Sequence, residues 1–304
     1  MRRENARTRP TRSMPWAVCT AVFPTWFMIL IWGLVAGNYL THMLLCPTMW
    51  RPSVIIAGHA LLALQIASFV QVTRTHPGSP PAGWSSGDAR VTSVFDEHGR
   101  RVEGVVDNLP PRSRYVRRLE EIVLGFDHFC WWIGVPIGWK NRKFFILFVL
   151  WSTALACFGF VLAVVDMNLL VPSPSSVQMM EQAMYKAALP FGMPTMQFMM
   201  LTLAMSELST PELVHACFLL IAAMANMVAT LLLGIFGSWH VQMALRNRTS
   251  IVEPENEVVY DVGTLSNWRQ VMGRKWWLWA LPLWLDDAPH GDGTSWPRGD
   301  SASC

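Results

Sequence analysis

Apolar residues gather in four long runs, near positions 16–37, 53–73, 144–166 and 213–239, separated by stretches where polar and turn-forming residues return. A helix crosses the roughly 30 Å hydrocarbon layer in about 20 residues at 1.5 Å each, so each run predicts a membrane-spanning helix. A fifth apolar stretch, FGMPTMQFMMLTLAM, is interrupted by Pro194 and preceded by Pro190. Proline removes a helical hydrogen bond, and the segment is short for a span, so an interfacial or re-entrant element is expected inside the loop 167–212. Between 77 and 113 the chain is rich in Pro, Gly, Ser and charge, which predicts loops and turns.

Charge then orients these helices. Lys and Arg number five before the first run, one in 38–52, eleven in 74–143, one in 167–212 and six after 239. Basic residues near helix ends stay cytoplasmic, so the alternation predicts cytosolic termini and a cytosolic 74–143 segment. The first run exceeds the apolar length of a signal peptide and reads as a signal anchor. Asn247-Arg248-Thr249 fits a glycosylation acceptor pattern, but on the predicted cytosolic side it stays unmodified. Composition agrees with a bilayer protein: 52% hydrophobic and 15% charged residues, against roughly 25% charged in a soluble domain. The 16 tryptophans suit membrane interfaces, and a net charge of +3 leaves no nucleic-acid footprint.

The six cysteines include no CxxC pair, which argues against a disulfide framework. Cys157 and Cys217 fall inside spans and read as packing residues. Chemistry concentrates just before the third run, where Asp127, His128 and Cys130 lie within four residues. A thiol becomes a good nucleophile when an imidazole accepts its proton, and a carboxylate can fix that imidazole's tautomer. The same three residues also occur together by chance, and a buried cysteine is often a plain packing residue.

The flanks narrow the choice. PPRS, then FDH followed by Cys130, then Trp132, Gly134, Gly138, Asn141 and Phe144-Phe145 leading into a span, resemble the cysteine-rich domain of the DHHC protein S-acyltransferases. His76-Pro77-Gly78 sits where that family has its DPG motif, and Asn247 to Glu253 resembles its TTxE region, with Ser250 for the second threonine and the glutamate one residue late. The stretch 260–277, with Tyr260, Gly263, Asn267 and Gly273, resembles the family's C-terminal PaCCT segment. The resemblance covers roughly residues 14 to 284. It implies an all-α polytopic membrane protein with four transmembrane helices and a cytosolic DHHC-like segment between helices 2 and 3. The parts are then an N-terminus 1–15, helices within 16–73, the catalytic segment 74–143, helices and a lumenal loop in 144–239, and a tail 240–304.

The family holds two zinc ions, and its eight ligand positions correspond here to Val102, Val105, Tyr115, Val116, Leu119, Ile122, Phe129 and Pro136. All are apolar or aromatic. Zinc is therefore expected to be absent, a hydrophobic cluster standing in for it. Asp127, His128 and Cys130 are retained. The resemblance implies transfer of a long-chain acyl group from palmitoyl-CoA to Cys130 and on to cysteines of membrane-associated proteins, with His128 as general base and Asp127 its orienter. Phosphates of coenzyme A point to Arg112, Arg114, Lys140, Asn141 and Arg142, though the cations also suit anionic lipid. Trp131 and Trp132 read first as interfacial anchors, and Asn267 as a structural amide. The family implies Golgi or endoplasmic reticulum, with the plasma membrane as another place. A catalytically silent membrane adaptor is the alternative; a transporter has little support, since the spans offer few polar residues beyond His59, Gln65 and Asn226.

Overall fold

Proline punctuation sets where the helices begin and end. In the computed structural model, which describes residues 25–81, 84, 89–95, 101–107, 109–116, 119–170, 208–251, 260–284 and 291–299, α1 runs Thr25–Leu45 and α2 Pro52–Arg74. α1 continues past the expected end at 37, because the first residue that cannot extend it is Pro47, which opens a short 3-10 turn, Pro47–Trp50. α2 starts on a proline, whose fixed φ suits a first helical position. It stops ahead of His76-Pro77, as the residue before a proline avoids helical backbone. After the strands come α3, Arg142–Leu170, and α4, Thr210–Leu245.

Ser209 and Glu212 form the start of α4, the serine hydroxyl and backbone N–H both donating to the Glu212 carboxylate at 2.6 and 2.9 Å. Its end is closed by Asn247 in left-handed conformation, with the Arg248 N–H donating to the Met243 carbonyl at 2.8 Å. Among the described residues three helices, α2, α3 and α4, are long and apolar enough to cross a membrane. The expected re-entrant segment in 167–212 and Cys19, Cys304, Arg117, Arg118 and Glu253 lie outside the described residues.

The region between α2 and α3 departs from the all-α expectation and from the loops foreseen in 77–113, and the molecule is mostly helical instead. β1 (Ala89–Phe95) and β2 (Arg101–Asp107) form an antiparallel hairpin whose register sets Val91 opposite Val105 and Val94 opposite Val102. Paired β-branched residues favour a sheet over the loop that the flanking Gly and Pro suggest. β3 (Arg114–Val116) runs parallel to β1 and antiparallel to β4 (Glu121–Val123), giving the order β2-β1-β3-β4. β5 (His128–Cys130) and β6 (Val135–Ile137) make a separate two-stranded ribbon.

The chain divides into two compact units. One comprises Met1–Ile31, Ala63–Trp151 and Ile235–Cys304. Its main core joins Val72, Cys130, Val135, Ile137, Phe144 and Phe145 with Ala244, Val271 and Met272. The last two belong to α5, Thr264–Met272. Asn267 anchors this tail: its amide donates to the Leu245 carbonyl at 2.9 Å and to Asp261 at 2.6 Å, and its oxygen accepts from the Val262 N–H. The second unit, Trp32–Leu62 with Ser152–Gly234, packs Cys46, Met49, Leu162 and Leu219 together. Asn38 and Asn226 pair there through their side-chain amides at 3.0 and 2.9 Å, satisfying groups that hydrocarbon would otherwise strand. Cys157 and Cys217, expected as packing residues, are instead exposed on the helix surfaces.

Candidate active site

Strand periodicity builds the site. Successive side chains on a strand point to opposite faces, so His128 and Cys130 share one face of β5 and Phe129 takes the other. The first face meets α3: Cys130 is buried in the core with Phe144 and Phe145, and the His128 ring stands edge-on to Phe145 at 5.0 Å. The other face sends Phe129 against Val116, Val123 and Phe126, together with Leu119 and Ile251. The ribbon is held in place by Asn141, fully buried, which accepts from the Gly138 N–H at 2.8 Å and donates to Pro136 at 3.0 Å. Gly138 is needed because a Cβ there would lie 2.7 Å from Val123 Cγ1 and 2.8 Å from the Leu124 oxygen.

Asp127 is 0% exposed and surrounded by donors. His128 Nδ1–H donates to its Oδ2 at 2.7 Å. The Ser250 backbone N–H donates to Oδ1 at 2.8 Å and the Ser250 hydroxyl to Oδ2 at 3.1 Å. An Arg142 guanidinium nitrogen lies 3.7 Å from Oδ1. Burial would raise the carboxyl's pKa, but the Arg142 charge and the His128 hydrogen bond outweigh it and hold Asp127 well below the usual range. His128 is also desolvated, which lowers its pKa, yet the hydrogen bond to Asp127 and the neighbouring Cys130 thiol push it up to about 9. With Nδ1–H committed to Asp127, Nε2 is the ring nitrogen left to exchange a proton, and a value of about 9 keeps the ring largely protonated near neutral pH.

The structure thus brings together Asp127, His128 and Cys130 and adds Ser250 from the segment after α4. The other expected residues sit differently. Arg142 is buried, neighbouring Asp127 and donating to the Arg248 carbonyl. Arg112 donates to the Asn247 side chain and carbonyl, both at 2.8 Å, and lies over the Trp296 ring at 4.5 Å. Asn141 spends its amide inside the ribbon, Arg114 is part-buried, and Lys140 is exposed. Trp131 and Trp132 are 50% and 63% exposed, as interfacial residues would be. His76, standing for the aspartate of the DPG motif, accepts from the Gly78 N–H at 3.1 Å and donates through Nε2 to Glu121 at 2.9 Å. Gly78 has φ +107°, the left-handed side that glycine tolerates.

One residue beside the site went unread in the sequence. His240, at the end of α4, places Nδ1 3.8 Å from Asp127 Oδ2 and its ring centroid 5.5 Å from that of His128. A titratable residue at the inner end of a span is a functional signal, but the predicted span closed at 239 and left it out.

A zinc ion does not fit the eight positions where the resembled family binds it. Val116, Leu119 and Phe129 pack into a single apolar cluster, Pro136 is buried, and no thiol or imidazole stands among the eight.

The family model described as DHHC palmitoyltransferase matches residues 106–257. The chain is 29% identical over 204 residues to the palmitoyltransferase PFA3 of Yarrowia lipolytica, covering 62% of this chain and 46% of that one. It is 26% identical to the probable protein S-acyltransferase 12 of Arabidopsis thaliana, covering 77% and 74%. With the probable protein S-acyltransferase 13 of the same plant it shares 25% identity over 90% of this chain and 91% of that one. The chain thus spans a little under half the length of the first relative and most of the other two.

Proposed function

This chain belongs to the DHHC palmitoyltransferase family, and on that premise we propose that it is a protein S-palmitoyltransferase working through an acyl-Cys130 intermediate. The observation that carries this is the hydrogen bond from His128 to a buried Asp127, with Cys130 two residues on along the same face of β5. His128 Nε2 takes the thiol proton, and the Cys130 thiolate attacks the carbonyl carbon of palmitoyl-CoA. The bond to the coenzyme A sulfur breaks, and that sulfur leaves with the proton from His128. In the second half, a substrate cysteine gives its proton to His128 and attacks the acyl-enzyme; Cys130 leaves and recovers the proton. Asp127 keeps Nδ1 protonated throughout, and Arg142 and Ser250 keep Asp127 ionised and aimed.

No zinc enters this scheme, since an apolar cluster occupies the positions its ligands would need. Coenzyme A phosphates meet the exposed Lys140 first, because Arg112, Asn141 and Arg142 are engaged within the protein and Arg114 donates to the Ser113 carbonyl. The protein spans the Golgi or endoplasmic reticulum membrane, or the plasma membrane, with four helices, α1 joining α2, α3 and α4, and keeps both termini and the 74–143 segment on the cytosolic side. Its protein substrates are membrane-associated and present cytosolic cysteines.

The test is acyl loading of detergent-purified protein with a clickable palmitoyl-CoA. Wild type forms a hydroxylamine-labile thioester, and Cys130→Ser and His128→Ala do not. Absence of label in folded wild type would favour the other reading, a catalytically silent membrane adaptor.

A further inference from the structure

The His240 ring is 1% exposed, and neither ring nitrogen has a hydrogen-bond partner. Its walls are aromatic: Phe236, Trp239 and Phe145 stand at centroid distances of 4.6, 4.8 and 4.9 Å. An imidazole serving only as packing at this place is replaceable by a fourth aromatic ring without leaving two nitrogens unpaired. Buried polar atoms left unsatisfied call for a specific cause, such as an ion. Asp127, His128 and His240 each offer one donor atom, and these lie within 4.8 Å of one another.

We propose that Asp127, His128 and His240 form a site for a divalent transition-metal ion of the Zn2+ class, and that its occupation shuts the acyltransferase off. The inhibitory half rests on the function proposed above; the binding half does not. Two imidazoles and one carboxylate suit Zn2+ or Co2+ and not the oxygen-seeking Mg2+ or Ca2+. Donors on a tetrahedral ion with bonds of about 2.0–2.1 Å stand about 3.3 Å apart. The observed 2.7 Å between His128 Nδ1 and Asp127 Oδ2 must open slightly, and the 3.8 Å from His240 Nδ1 must close slightly. The third separation, between the two imidazoles, is at most 4.8 Å and must close by up to about 1.5 Å, a movement that rotation of the rings supplies. The ion would replace the proton shared by His128 and Asp127, which is why the base that activates Cys130 is lost when it binds. His128 is partly exposed and supplies the entry path. Arg142, 3.7 Å from the other Asp127 oxygen, opposes the ion's charge and keeps binding reversible. None of the eight positions aligned with the family's zinc ligands takes part.

The experiment titrates full-length detergent-solubilised protein with Co2+ under reducing conditions, reading visible d–d absorption, and measures acyl loading against Zn2+. Wild type takes up one Co2+, Zn2+ displaces it, and Zn2+ blocks loading. His240→Phe, which extends the aromatic wall, loads acyl groups as wild type does in chelator. It lacks the Co2+ bands and needs at least about tenfold more Zn2+ for inhibition. His240→Cys restores a ligand and brings Co2+ binding back with a changed spectrum. If circular dichroism shows that Phe disturbs folding, His240→Asn replaces it in the comparison. Wild type without Co2+ bands, or a His240 variant with unaltered bands and Zn2+ sensitivity, overturns the site. Co2+ binding through His240 in a protein that never loads an acyl group would retain the site and reject the enzymatic reading.

Discussion

Asp127 is the residue on which the site turns, because it is fully buried and its charge is met by protein donors. Asp127→Asn keeps the shape but lets His128 adopt the other tautomer, so acyl loading should fall by at least about a hundredfold with folding preserved. Ser250→Ala removes one hydrogen bond to a charged group and retains the backbone N–H, which predicts a loss of about tenfold. Equal loading in wild type and Ser250→Ala would mean that the hydroxyl does not position Asp127. The raised His128 pKa also makes stability pH-dependent. A folded value of about 9 lies above an unfolded value of about 6.5, so its contribution is complete below about 6.5 and fades as pH rises through 9. Thermal unfolding should therefore shift to lower temperature between those limits, and His128→Ala should flatten the profile. Asp127, shifted downward, contributes above about 3.9 and leaves this window untouched. Asn247, read in the sequence as a glycosylation acceptor, is buried with its amide donating to the Tyr260 carbonyl and to Gln270, so glycan attachment is blocked in the folded protein irrespective of topology.

The ribbon β5-β6 explains how the segment can lose metal ligands and retain its chemistry. Phe129 points away from Cys130 and His128, so an apolar residue there stabilises the sheet side and does not touch the proposed nucleophile. Phe129→His restores the residue the family carries but puts a polar ring against Val116, Val123 and Phe126. It should destabilise the fold by about 2–4 kcal/mol, seen as a lower unfolding temperature that added zinc does not rescue. Rescue by zinc would show that a metal site can be rebuilt here, against the apolar-cluster account. Gly138→Ala is a tighter test of the same element, as its methyl would strike Val123 and the Leu124 oxygen. Overpacking against backbone costs about 1–3 kcal/mol, and with Asn141 hydrogen-bonded to the Gly138 N–H the displacement should reach the site and lower loading as well.

At the scale of the whole molecule, if side-chain packing holds the segment between α2 and α3 as proposed, a chelator added to metal-free protein should leave the unfolding temperature unchanged. A drop of several degrees on chelation would contradict that. Much of this was legible in one dimension. Runs of apolar residues mark spans because bilayer thickness fixes their length, and Asp127, His128 and Cys130 are close in space because they are close in sequence. The end of α1 and the span boundary at His240 were misplaced, since an amphipathic end residue such as Tyr39 or His240 does not reveal whether it meets water or protein. The valine-paired strands of β1 and β2 were hidden by their glycine-rich and charged surroundings, where only cross-strand pairing decides for sheet. Tertiary structure alone brought Ser250, Arg142 and His240 to Asp127, and turned Arg112 and Asn141 inward. Local chemistry and span length follow from neighbours along the chain; the partners of a buried charge follow from which distant segments pack over it, and no spacing along the chain encodes that.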